Sequence, residues 1–218
     1  MNKNYEKIVS LVCNTLVEAG STFREDKKKA YKRAIASEDN EKAKWVLETV
    51  LANVEAAEKN HSPLCDDTGI PHIVLEIGPD AAVTGRMLDA IREGIAKGLR
   101  KLPGRPMGIM GDDCRRIDQS GGLNPDSAGV EPAPILIRRC QDNVIRLHIL
   151  MFGGGPAIRA KTYRVFHKHN MQVVLDEIVN WATEGVAQLG CSPCTLAVGV
   201  GRSHFEATSM MLQAQVDG

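Results

Sequence analysis

Aromatic residues are scarce in this chain, 4% of 218, and neither charge sign dominates, since 27 Lys and Arg offset 27 Asp and Glu. The first scarcity leaves little material for stacking nucleobases, and the second leaves no global field to draw in nucleic acid or an anionic membrane. Long apolar runs are missing too. The stretch from Ile8 to Ala19 is interrupted by Ser10, Asn14 and Glu18 and is too short to span a bilayer, and Met1 to Lys7 lacks the basic-then-apolar layout of a signal peptide. The cytoplasm is the expected compartment, where the cysteines read as thiols or metal ligands and not as a disulfide framework. A second Cys-x-x-Cys pair is also lacking, so Cys191 and Cys194 find no partner pair for a four-cysteine zinc site.

What is present is enough apolar material, 43% of residues, for a sizeable core. Residues 5 to 60 read as three helices, with Ile8, Val12 and Leu16 at four-residue spacing and breaks near Gly20-Ser21-Thr22 and Ser37-Glu38-Asp39-Asn40. A strand is expected over 70–78 and a helix over 81–100, the latter weakened by Gly94 and Gly98. Residues 102 to 134 read as a long loop rich in glycine and proline. Two β-rich runs, 134–140 and 144–151, are expected to form a hairpin. In the second, Ile145, Leu147, Ile149 and Met151 point one way, leaving His148 a half-exposed strand residue. A helix over 173–188, a buried strand over 195–201 and a last helix over 206–215 complete an α+β fold: a helical N-terminal region (1–62), then a mixed α/β region (63–218) with a hairpin and glycine-rich loops, continuous as one domain.

Three elements carry chemistry-bearing residues. Pro63-Leu64-Cys65-Asp66-Asp67-Thr68-Gly69 sets a thiol, two carboxylates and a hydroxyl on one tight loop ahead of a strand; Gly153-Gly154-Gly155 follows a strand and offers bare backbone N–H groups to an anion; Cys191-Ser192-Pro193-Cys194 precedes a glycine-ended run. In this order and spacing they resemble the alpha part of the iron–sulfur hydro-lyases, the class I fumarase and L-tartrate dehydratase alpha family. That family carries Pro-x-Cys-Gln-Asp-Thr-Gly, then a Lys-Gly-Gly-Gly loop, then Cys-Pro-Pro before a glycine-ended strand.

The resemblance implies a 4Fe-4S cluster held by three cysteines, its open iron acting as a Lewis acid on a small hydroxy- or dicarboxylic acid. Cys65 and Cys191 match two ligand positions. Either Cys194, Cys114 or Cys140 supplies the third, Cys194 being the one carried forward, or the cluster is incomplete in this chain, because the family's own third cysteine falls on a segment beyond Gly218. Asp67 matches a carboxylate that takes part in proton transfer, oriented by Thr68. Arg100 and the amides of Gly153, Gly154 and Gly155 are placed to bind a substrate carboxylate. The implied protein is an alpha subunit that adds or removes water and is completed by a beta subunit in a homo- or hetero-oligomer. The departures are Asp66 in place of Gln, which sets a negative charge against an anionic substrate, and Phe152 in place of Lys. A noncatalytic binding or assembly module of the same fold and a thiol redox protein using Cys191 and Cys194 are the alternatives.

Overall fold

The computed structural model describes residues 3–102, 104–105, 108–154, 160–189 and 192–218. The chain divides into two compact units, Met1–Gly153 and Gly154–Gly218.

The first unit opens with three helices, α1 (Lys3–Ser21), α2 (Glu25–Ser37) and α3 (Glu41–Asn60), broken where the sequence predicts. Asn40 fixes the start of α3, its Oδ1 accepting from the N–H groups of Lys42 and Ala43, two of the donors that a first turn leaves open. The helix ends at His61 in the left-handed region (φ 50°), and the Ser62 N–H turns back to the Ala57 carbonyl at 3.0 Å. A fourth helix, α4 (Gly85–Lys101), crosses α1 closely because Gly94 and Gly98 lack side chains there. A Cβ on Gly94 would lie 2.8 Å from the Val9 carbonyl oxygen, and one on Gly98 would lie 3.1 Å from that of Cys13. The two glycines that weaken the helix on propensity are what let it pack.

Beneath α1 and α4 lies a three-stranded sheet with β1 (Ile70–Ile77) at its centre. The strand β2 (Leu136–Arg139) runs parallel to it on one side, and β3 (Ile145–Phe152) runs antiparallel on the other. Val12, Leu16, Ile91 and Ile95 from the helices meet Ile73 and Leu75 of β1, with Ile145, Leu147, Ile149 and Met151 of β3 packed against them. The alternation read from the sequence is therefore correct, but the hairpin is not: β2 and β3 do not pair with each other, because β1 lies between them. Their connection wraps the end of β1, where Cys140 N–H donates to the Ile77 carbonyl and Gly78 N–H to that of Val144. A Cβ on Gly78 would overlap the Asp142 carbonyl oxygen, so the bare glycine lets β1 slot into the gap.

The face of the sheet turned away from α1 and α4 carries a charged cluster spanning all three strands. Glu76 of β1, only 8% exposed, meets Arg138 of β2 at 2.7 Å and Arg146 of β3, with His148 Nε2 at 3.4 Å. Hydrogen bonds from Arg146 first, and then from Arg138, with His148 nearby, outweigh desolvation and hold the Glu76 carboxyl at about 2 against an ordinary 4.5. A carboxylate depressed in the folded state contributes stability above its unfolded value and loses it as pH falls. Glu76→Gln is accordingly expected to lower the urea midpoint at neutral pH and to flatten the loss of stability between pH 4.5 and about 2. Midpoints measured across that range check this, and an acid limb as steep in the variant as in the parent would remove Glu76 as its source.

The stretch between α4 and β2 is more structured than a loop. It holds a short helix, α5 (Asp113–Asp118), an isolated bridge between Ile109 and Leu123, and a 3-10 turn at Ser127–Gly129.

The second unit contains α6 (Met171–Ala187), capped by Asn170, and α7 (His204–Asp217), capped by Ser203. Tyr163 stacks on Trp181 with ring centroids 4.0 Å apart. The expected buried strand over 195–201 is absent. Leu196, Val198 and Val200 are 57%, 42% and 61% exposed, and the segment pairs with no strand among the described residues. A strand needs a neighbouring ladder, and here Gly199 abuts the first turns of α7 instead, a Cβ on it overlapping the Ala207 carbonyl oxygen. Among the described residues, no helix is long and apolar enough to cross a membrane.

Candidate functional site

The register of β1 on β3 builds the site. Ile70, the first residue of β1, pairs with Phe152, the last of β3, so the loop entering β1 and the loop leaving β3 emerge side by side. The entering loop is the Cys65 loop, and the leaving one begins at Gly153.

Anchors at both ends hold the Cys65 loop in place. Leu64 N–H donates to the Gly20 carbonyl at the end of α1, and Asn53 of α3 donates to the Leu64 carbonyl, both at 3.0 Å. Thr68 N–H closes a tight turn onto the Asp66 carbonyl at 3.0 Å. Gly69 then takes φ +86°, and a Cβ there would stand 2.6 Å from the Phe152 carbonyl carbon and 2.8 Å from Gly153 N. This close approach brings the half-buried Asp67 against Gly153, where a Cβ would lie 3.0 Å from Asp67 Oδ2. Two motifs 84 residues apart are thus joined at one end of the sheet.

Thr68 reaches a third segment. Its hydroxyl donates to the Arg105 carbonyl at 3.1 Å, and Gly104 lies so close that a Cβ on it would overlap the Thr68 side chain. The backbone latch sets the Arg105 guanidinium beside the loop, with Nε 3.5 Å from Asp66 Oδ2. Arg100, the arginine expected here, is turned elsewhere. Its guanidinium grips Asp126 through Nε at 3.0 Å and Nη2 at 2.7 Å, a pairing that holds the Asp126 carboxyl below its ordinary range. Together with Ser127 Oγ donating to the Leu99 carbonyl, it ties the end of α4 to the 3-10 turn. The sequence reading passed over Arg105. The signal for it was one cation set between Gly104 and Pro106 in an otherwise irregular stretch.

Cys65 is an exposed free thiol on this loop. Cys140 belongs to the opposite end of the sheet, since it follows Arg139, which pairs with Ile77. Seven residues of extended chain, about 23 Å, separate that end from Ile70. Its thiol also donates to the Asp142 carbonyl at 3.3 Å. Cys194 is an exposed free thiol in the second unit, as Cys114 is on α5 of the first. Gly154 is the first residue of the second unit, while Gly155 and Cys191 lie outside the described residues. Among the described residues, no group of three or more His, Cys, Asp or Glu is placed to hold a metal ion.

The comparisons with known proteins point to the same family. An L(+)-tartrate dehydratase subunit alpha by name, from Methanocaldococcus jannaschii, is 27% identical over 198 residues, covering 89% of this chain and 66% of the relative. A fumarate hydratase class I by name, from Geobacillus stearothermophilus, is 24% identical over 156 residues, covering 71% of this chain and 28% of the relative. The chain thus spans about two thirds of the first relative's length and little more than a quarter of the second's. The family model described as fumarate hydratase (Fumerase) matches residues 9–218, nearly the whole chain, and the chain belongs to that family.

Proposed function

We propose that this chain is the alpha subunit of a hydro-lyase that adds or removes water across the double bond of a small carboxylic acid, completed by a beta subunit in a cytoplasmic oligomer. The observation that carries the reading is the meeting of Asp67 with Gly153 at the mouth of β1 and β3. A carboxylate is set there beside a backbone loop suited to an anion. The beta partner is supported by the name of the Methanocaldococcus jannaschii relative, a subunit alpha.

In this reading the substrate carboxylate lies against the N–H groups of Gly153, Gly154 and Gly155 with the Arg105 guanidinium beside it. Asp67 takes the proton from the carbon alpha to that carboxylate as hydroxide leaves the neighbouring carbon, and returns it in hydration. Thr68 holds Asp67 and Arg105 in mutual register through its bond to the Arg105 carbonyl. Arg100 remains with Asp126 as a tie between α4 and the turn that follows.

The donor chemistry suits a 4Fe-4S cluster, because Cys65 and Cys194 are exposed free thiols and thiolate is the ligand such iron prefers. Cys65, Cys191 and Cys194 would hold it. When bound, it supplies a Lewis acid for the departing hydroxyl. Anaerobic reconstitution of the purified chain with iron and sulfide tests this assignment. The parent is expected to retain both, and Cys65→Ser to lose most of its iron and sulfide without a change in thermal stability of the unloaded chain. Full iron and sulfide retention in Cys65→Ser would refute the ligand assignment.

A further inference from the structure

We infer that Asn53 of α3 is a positioning residue for the Cys65 thiol: its side-chain amide holds the Leu64 carbonyl, and with it the backbone from which Cys65 presents its sulfur to the cluster. The inference rests on the cluster reading above and adds to it the group that presets one ligand.

Asn53 is a poor residue for its place in the helix. It lies in the interior of α3 on the exposed side, where Asn ranks below Ala, Glu or Lys because its amide competes with the backbone for hydrogen bonds. Its use is found outside the helix. The Nδ2 group donates to the Leu64 carbonyl at 3.0 Å, across 11 residues of chain. The chain reaches that point by folding back on α3. His61 ends the helix in the left-handed region, Ser62 N–H returns to the Ala57 carbonyl, and Leu64 then comes level with Asn53, about two turns before the helix end.

A second helix holds the other side of Leu64. Its N–H donates to the Gly20 carbonyl in the last turn of α1, also at 3.0 Å, and Gly20 is itself fixed because Leu102 packs where its side chain would stand. Both backbone groups of Leu64 are thus committed, each to a different helix, at the residue immediately before the ligand. The Leu64 carbonyl belongs to the planar peptide unit that carries the Cys65 N–H, so fixing one fixes the direction in which the Cys65 side chain leaves the backbone. A thiol oriented in this way enters iron binding without first ordering its loop, and supporting bonds of this kind set how tightly a site keeps its metal.

Two measurements on the full chain test this: alkylation of the unloaded protein by iodoacetamide, read at Cys65 by peptide mass spectrometry, and the rate at which iron and sulfide are lost in air after anaerobic reconstitution. Asn53→Ala is expected to label Cys65 about 2- to 10-fold faster and to lose its cluster faster by a similar factor, the range that one released hydrogen bond allows. Cys194, in the second unit, should label at the parental rate, and the melting temperature should not fall, because Ala suits the helix better than Asn. Asn53→Asp keeps the shape but sets an acceptor against the Leu64 carbonyl, so it should exceed Asn53→Ala in both readouts. A merely structural role would lower the melting temperature and leave Cys65 labelling and cluster lifetime at parental values in both variants, which overturns the inference while leaving the cluster reading intact. A parent that retains no iron and sulfide removes the cluster reading and the inference with it.

Discussion

Asp67→Asn is expected to lower kcat of the assembled hydro-lyase by about 10²–10⁴-fold while changing KM little, because the substitution keeps the shape of the side chain and removes only its capacity to take a proton. The packing gives the prediction its sign. Asp67 stands where the Cys65 loop meets Gly153, so an amide of the same size preserves the loop and isolates the chemistry. A purely structural carboxylate would show the reverse pattern, a lower melting temperature with kcat nearly intact. Steady-state kinetics with the beta subunit present, beside thermal melts of the same preparations, separates the two. Near-parental kcat in a well-folded variant would end the role of Asp67 as the proton-transfer group.

Gly69→Ala should damage the first unit through two effects at once. At φ +86° an L side chain is strained, and here the added Cβ would also stand 2.6 Å and 2.7 Å from the Phe152 carbonyl carbon and oxygen. Backbone of a paired strand cannot step aside as a side-chain end can. The two effects together predict a loss of about 3 kcal/mol or more, with the glycine loop displaced from Asp67 and activity lost alongside stability. Gly122 provides the matched comparison. It has φ +70° but nothing within 4 Å of its would-be Cβ, so Gly122→Ala should cost only the backbone strain, about 1–2 kcal/mol. Denaturation midpoints of the two variants check this directly, and equal losses would mean that contact with Phe152 contributes nothing.

Much of the local structure was legible because it is decided locally. The period of Val12 and Leu16, the capping capacity of Asn40 and the alternation along β3 each depend on residues a few positions apart, and all appear where the sequence puts them. The hairpin was misjudged for the opposite reason. The sequences of β2 and β3 identify two strands but not their partner, which is β1, some 60 residues upstream of β2 and admitted between them by Gly78. Likewise, alternating apolar residues over 195–201 describe a strand only if a ladder exists to receive them, and none of the described residues supplies one.

The candidate site divides along the same line. Sequence alone determined its chemical ingredients, a thiol, two carboxylates and a hydroxyl on one loop and bare glycines on another, together with the motif order that places the chain in its family. Tertiary structure decided which ingredients meet. The Ile70–Phe152 register joins the loops, Asp126 pairs with Arg100, and Thr68 holds the Arg105 backbone beside the Cys65 loop. Arg100 and Arg105 are five residues apart and chemically identical, so nothing in composition or periodicity separates them. Their different partners are set by hydrogen bonds to distant segments, which exist only once the chain has folded.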